Sequence, residues 1–510
     1  MSNNPTQTAA AASAIRPLYL MQTAIDPNDP LDSTNAAAVS AMMADTQGNI
    51  LKSHGRNHSY HLFVSFAEGQ AEDAKAWVRQ VVTPRVTSAM QQWQDAAGFR
   101  ASGIDGGTFV NFALSASGYR KLGFDGATTP NDPSFQGGAR GSIDKLNDPP
   151  VEQWQPGFQE QLDALLILAD DNHDRLQRMH DEILASQGAF GGVVRGILLE
   201  TGAALRLDAS GLAVEDKTTT THEHFGYSDG VSQPLFFARD IEESRLNSGG
   251  FDQYDPSAPL GLVLVKDGNG DAFGYGSYLV YRKLRQDVHD FKRSVAKLAA
   301  RIVQARDPTA SPSDADLALA EAYVMGRFKD GTPVALQAVD GWTNEPNNWN
   351  YDQDVDGLKC PYHAHTRKTN PRGDKARAFS SPLTEESSRR IARRAISFGP
   401  LDIDPPKTEE VGLLFICMQS SIVDQFEFIQ AAWSNNEQFL HQGTGLDPVV
   451  GQAPFGQQPT TPQHWPKVYG QRNDFNGADP FVQYQFAQWV TLRGGEYFFL
   501  PSLSFLMNLR

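Results

Sequence analysis

At 510 residues the chain is too long for one ordinary core, so two or three domains are expected. A net charge of -16 and a pI near 5.2 argue against a nucleic-acid partner, because phosphate binding needs a basic surface. Cys360 and Cys417, far apart in the chain, make neither a disulfide framework nor a thiolate metal site, and they fit a reducing compartment.

Residues 1–40 are rich in Ala, Thr, Asn and Ser, without the basic start and apolar core of a secretory signal and without a twin arginine. They read as a flexible or surface-draped arm, and a cytoplasmic location is expected. The longest apolar stretch of the C-terminal half, Val411 to Met418, is far below the roughly 18 residues of a membrane span, so no membrane partner is expected.

A first unit is expected over 41–240. It begins with a strand His61 to Phe66, a helix with Ala74, Trp77, Val78 and Val81 on one face, and a strand Thr108 to Ser115. A second such set follows: the apolar run Ala164 to Ala169, a helix carrying Leu176, Met179, Ile183 and Leu184, and the strand Val194 to Glu200. Two such β-α-β sets make a ferredoxin-like sandwich. Over 241–510 the pattern recurs, with the strand Ser277 to Arg282 and a helix placing Leu284, Val288, Phe291, Val295, Leu298 and Ile302 on one stripe. Then come Gly412 to Met418, a helix after it, and the strand Tyr497 to Leu500. The fold class expected is therefore α+β, two ferredoxin-like α/β sandwiches with long insertions. Residues 306–315 and 330–380 are Pro-, Asp-, Gly- and Asn-rich, and structureless stretches of that length are usually functional or disordered.

Two His-x-His pairs, His222/His224 and His363/His365, place both rings on one face of an extended backbone, which suits a metal or ordinary hydrogen-bonded histidines. After the first pair, Gly226-Tyr227-Ser228-Asp229-Gly230 makes a tight turn that presents one carboxylate. Cys360 to Arg372 packs two histidines and several cationic side chains into a short stretch, suited to an anionic ligand beside a metal or to a solvated basic loop. A helix capped near Thr384 is expected to run through Arg393 and Arg394, with the turn Ala395 to Pro400 after it aiming one arginine inward.

In this order the segments resemble the dye-decolourising peroxidase family, from about Gln47 to near the C-terminus. Gln47 to Leu51 is similar to its opening signature, Phe225 to Pro234 to its Gly-x-x-Asp-Gly segment, and Ser277 to Leu284 to the strand-to-helix entry of its haem domain. His365 to Arg372 is similar to the proximal-histidine segment and Arg393 to Gly399 to the distal-arginine segment. The resemblance implies a dimeric α+β barrel type of fold with haem b in the C-terminal domain. It makes His365 the iron ligand, Asp229 the distal acid-base group and Arg393 the distal arginine, chosen over Arg394 by its spacing to Gly399. It puts Arg367 on a haem propionate and Leu413 and Phe415 on the distal face, with Asp424 or Glu427 as the acid orienting the imidazole. The implied reaction reduces hydrogen peroxide by O–O heterolysis, through an oxoferryl intermediate. Small aromatic reductants such as dyes or phenols are oxidised, activity leans toward acidic pH, and Trp433, Tyr469 and Tyr497 are candidate electron relays. Monomer and homo-oligomer fit equally well. Two other readings compete: a non-haem metalloenzyme built on the paired histidines, and a haem carrier that uses the fold without catalysis.

Overall fold

The computed structural model describes residues 19–208, 210–341, 347–472, 477 and 479–509. Eight strands carry the architecture: β1 (His58–Phe66), β2 (Phe109–Ser115), β3 (Ala164–Asp170), β4 (Val194–Ala203), β5 (Tyr275–Gln286), β6 (Ile396–Phe398), β7 (Gly412–Gln419) and β8 (Val490–Leu500). The first four lie in the order β4-β1-β3-β2, and the second four in the order β8-β5-β7-β6. Both are fourth-first-third-second, so the chain is two ferredoxin-like units of one topology. Their edges meet where Phe498 pairs with Ser115 and Ser397 with Ala203, and the two sheets close into a single antiparallel barrel.

Closure explains why β2 and β3 are buried along their whole length: one face fills the barrel and the other is covered by helices. After β1 comes Ala71–Trp77, extended by the wider turns of Val78–Val82, and after β3 comes His173–Ala185. Val288–Gln304 follows β5 and presents Val288, Phe291, Val295, Leu298 and Ile302 to the interior. Leu284, expected on that stripe, belongs to β5; Asp287 stops the strand and caps the helix by accepting the Asp290 N–H. The apolar core runs from β1–β4 into β5, β7 and β8 without a break, so the two units share it.

The arm expected over 1–40 ends sooner. Ser33–Asp45 is a helix whose Val39, Met42 and Met43 are fully buried, because its apolar side chains pack into the shared core; residues 1–18 lie outside the described residues. Nor does a helix reach Arg393. Leu383–Ser387 is a single short helix, after which Ala392–Arg393 pairs with Cys417 and Met418 of β7 and Ile396–Phe398 becomes β6. Pairing with the open edge of β7 overrides the helical pattern of the arginine run. A second apolar cluster joins Phe225 and Tyr227 to Phe291, Tyr323, Trp349 and Tyr351, so the insertion after 330 packs against the helix Val288–Gln304 and the helix Asp314–Met325. No described helix is long and apolar enough to cross a membrane.

Candidate active site

Between the barrel and the insertion lies a cavity of about 1350 Å³, larger than the roughly 300–1,000 Å³ of most small-molecule sites. Asp229, Arg393, His365, Leu413 and Phe415 all line it.

One wall comes from the barrel. Side chains alternate along β7, so Leu413 and Phe415 face the cavity while Leu414 and Ile416 are buried on the other side. Arg393 is fixed by its strand pairing, by its N–H donating to Gln233 Oε1 at 3.0 Å, and by Nη2 donating to the Val231 carbonyl at 2.6 Å. That leaves Nη1 3.9 Å from Asp229 Oδ1. Asp229 is set by its own loop: its N–H donates to the Thr221 carbonyl at 2.8 Å, and its Oδ1 accepts the Gly230 N–H at 2.7 Å. Gly226 takes a φ of +96°, a conformation other residues rarely adopt. The preceding Glu223 accepts the N–H groups of Phe225 and Tyr227, each at 2.9 Å, which draws the turn closed. Burial pushes Glu223 up to about 7, against those hydrogen bonds and one from Gln286. Phe225 stacks on Phe291 at 3.9 Å between ring centres and anchors the loop to the second cluster.

Another part of the lining is irregular backbone. His365 opens the short helix His365–Thr369, and its Nδ1 lies 2.9 Å from Asp447 Oδ2. Asp447 is itself held, its Oδ1 accepting the N–H groups of Val449 at 2.8 Å and Val450 at 3.1 Å. A carboxylate on Nδ1 fixes the proton there and leaves Nε2 as the ring nitrogen free to act as a ligand. Asp447 therefore takes the place expected for Asp424 or Glu427. Asp424 pairs with Arg389 at the surface, and Glu427 is enclosed by Ser134, Ser142, Lys145 and Tyr497.

Arg367 does not reach the cavity. Fully buried, it donates to Asp374, Asp354 and the carbonyls of Cys360 and Asp354, so its guanidinium is engaged on every side by the chain itself. Arg372 does reach it. This buried arginine donates to the carbonyls of Asn347 and Trp349, to Asn347 Oδ1 and to Ser232 Oγ, and no carboxylate pairs with it among the described residues. Burial accordingly draws its pKa below the ordinary arginine range. Arg394, bonded to the carbonyls of Asn49 and Ile50, is pushed down to about 9 by burial and by Arg393. Buried cations without anions favour an anionic ligand.

The paired-histidine metal site does not form. His222 lines the cavity with Nδ1 near the Thr220 carbonyl, whereas His224 is buried against the Pro400 carbonyl and His363 against the Trp465 ring. No cluster of His, Cys, Asp and Glu able to hold a metal ion occurs among the described residues. Of the candidate relays, Trp433 and Tyr497 are buried and Tyr469 is half-buried.

Two family models match the chain: DyP dimeric alpha+beta barrel domain over residues 45–204, and Dyp-type peroxidase, C-terminal, over residues 252–445. The multifunctional dye peroxidase DyP2 of Amycolatopsis sp. is 35% identical over 95% of this chain and 100% of its own length. The dye-decolorizing peroxidase msp1 of Mycetinis scorodonius is 29% identical over 93% of this chain and 90% of its own. Among solved structures, a DyP-type peroxidase of Anabaena sp. superposes with a TM-score of 0.84 at 39% identity, covering 96% of this chain and 99% of that one.

Proposed function

The chain belongs to the dye-decolourising peroxidase family and is an oxidoreductase acting on peroxide, and from that premise we propose that its cavity holds haem b between His365 and the Asp229–Arg393 pair. The observation that carries the reading is the pairing of His365 Nδ1 with the buried Asp447 in a cavity lined also by Asp229, Arg393 and Arg372. The residues suit the group: an oriented imidazole, apolar walls from Leu413 and Phe415, and a buried arginine lacking a carboxylate. His365 Nε2 would hold the iron, and Arg372 would take a propionate, the role expected of Arg367. Haem, when bound, would supply the redox-active iron for the reduction of hydrogen peroxide.

The chain's own groups manage protons and charge. Asp229 takes the proton of the inner peroxide oxygen and gives it to the outer one, so that water leaves; Oδ2 is the oxygen suited to this, since Oδ1 is occupied by the Gly230 N–H. Arg393 holds the developing negative charge on the departing oxygen with Nη1, while its bond to the Val231 carbonyl keeps it from collapsing onto Asp229. Leu413 and Phe415 keep the wall dry and narrow, which admits peroxide and leaves bulky dyes or phenols to give electrons from outside.

Stopped-flow mixing of the haem-loaded protein with hydrogen peroxide tests this. Asp229→Ala is expected to slow the first step roughly 10²- to 10⁴-fold, and Arg393→Ala roughly 10²- to 10³-fold. A variant whose rate matches that of the unaltered protein would remove its residue from the assignment.

A further inference from the structure

We propose that the solvent end of the cavity carries an anion-recognition subsite, built on Arg56 and Arg206, that holds the carboxylate or sulfonate of an aromatic electron donor. The inference rests on the peroxidase reading only for the word donor; the binding site itself stands on the following geometry.

Arg56 and Arg206 stand in the cavity lining without a carboxylate partner, in a chain of net charge -16. Arg56 donates Nε to the Gly107 carbonyl at 3.1 Å and Nη1 to the His54 carbonyl at 3.4 Å. Arg206 donates Nε to Asn57 Oδ1 at 3.1 Å and Nη1 to the Thr219 carbonyl at 2.6 Å. Every partner is neutral, neither arginine has an ion pair among the described residues, and in both Nη2 makes no hydrogen bond to them. The carboxylates whose field reaches Arg206 are committed elsewhere. Asp171 pairs with Lys217 and accepts the Asn57 N–H, and Asp216 accepts the N–H and hydroxyl of Thr218. Burial draws Arg206 below the usual arginine range in spite of them. Of the other cations in this part of the lining, Lys52 is joined to Asp240 and Arg394 is taken up by the Asn49 and Ile50 carbonyls.

The surroundings suit an amphiphilic ligand. Leu51, Leu205 and Phe236, themselves buried, form an apolar floor beneath this lining. Burial and the charge of Arg56 hold His54 to about 3; its Nδ1 accepts the Arg56 N–H at 3.0 Å, so the neutral ring carries its proton on Nε2. Ser53, Gly55, Thr218 and Thr220, also in the lining, are exposed, and there the cavity opens to solvent. The connection to the chemistry is short. Arg206 stands opposite Thr221 across a strand pair, and the Thr221 carbonyl accepts the Asp229 N–H at 2.8 Å. An anion on Arg206 therefore lies one strand away from the loop of the acid-base carboxylate. Neutral hydrogen peroxide gains nothing from two guanidinium groups, whereas a sulfonate or carboxylate can accept from the unengaged Nη2 of each.

Calorimetric titration of the haem-loaded protein, without peroxide, with naphthalene-2-sulfonate and with neutral 2-naphthol tests the subsite. Arg56→Gln and Arg206→Gln are each expected to weaken the sulfonate roughly 10-fold and to change the naphthol less than about twofold, with Arg206→Lys in between. Raising sodium chloride from about 0.05 to about 0.5 M should weaken only the sulfonate. Equal losses for both probes, no loss in either variant, or no sulfonate binding by the unaltered protein would each overturn the proposal. So would loss of haem from the glutamine variants, which would make the arginines cofactor ligands. Sulfonate binding that depends on both arginines in a protein whose Asp229→Ala and Arg393→Ala variants keep the parent's peroxide rate would support the subsite and remove the Asp229–Arg393 assignment.

Discussion

The two walls of the cavity are built in opposite ways. On the barrel side, Leu413 and Phe415 sit on β7, whose register is set within the closed sheet, and Arg393 is held against β7 by a two-residue pairing and by its bonds to Gln233 and Val231. On the other side His365 begins a helix of five residues between irregular segments, and its aim comes from one carboxylate contributed 82 residues later. A strand residue inherits precision from many ladder hydrogen bonds, whereas His365 depends on Asp447, which depends in turn on two backbone N–H groups. Single substitutions should therefore disturb the insertion wall at a distance and the barrel wall only locally.

The sharpest way to break that contrast is Asp447→Ala. Removing the partner of a ligating imidazole typically costs about 10- to 100-fold in affinity or activity. Haem affinity of the variant is expected to fall in that range, with the ring free to rotate and the ligand-field spectrum altered. Asp424→Ala, by contrast, should leave both unchanged. An Asp447→Ala protein with unaltered affinity and spectrum would show that helix packing alone aims His365.

A smaller effect is expected from Arg372→Met, which removes a buried cation and its four protein hydrogen bonds while keeping an apolar stem. Loss of one charge-assisted contact to a propionate corresponds to about 10-fold weaker haem binding, set against relief of an unpaired buried charge in the haem-free protein. The haem-free variant should be no less stable than the parent in urea. Arg367→Met should do the reverse: it leaves the buried Asp354 without its cation and Asp374 with Arg377 alone, and destabilises the fold with or without haem.

That last pair also explains what the sequence made legible. The strands of both units read out from apolar runs, because a barrel buries both faces of a strand, and β6 escaped because three residues between turns carry no periodicity. Asp229, His365 and Arg393 each sit inside a short motif, and all three line the cavity. That Arg367 turns away from the cavity follows from helix geometry. Two residues along a helix is roughly 200° of rotation, so Arg367 points away from whatever His365 faces, while Thr369, one turn on, lines the cavity. Asp447 had no such signal near His365. Its only local mark is the Asp447-Pro448 step, a turn whose carboxylate caps the N–H groups that follow. Long-range partners in irregular chain are set by tertiary packing, which local pattern does not encode.

The finest test concerns the barrel-side loop, through Glu223. Its carboxyl is pushed up to about 7 by burial, so between about 4.5, its ordinary value, and 7 the folded protein holds a proton that the unfolded chain has lost. With more protons bound in the native state, stability falls as pH rises through that window. The side chain is partly exposed, which reduces the effect to on the order of 1 kcal/mol, about 1 °C in Tm for a chain of this length. Glu223→Gln removes the titration and should flatten that part of the profile, although the amide satisfies only one of the Phe225 and Tyr227 N–H groups and lowers Tm overall. Differential scanning calorimetry of both proteins from pH 4.5 to 7.5 separates the slope from the offset. A parallel pair of profiles would mean that Glu223 keeps an ordinary carboxylate in this loop, and that the turn presenting Asp229 is held by its backbone and by Phe225 on Phe291 rather than by a protonated side chain.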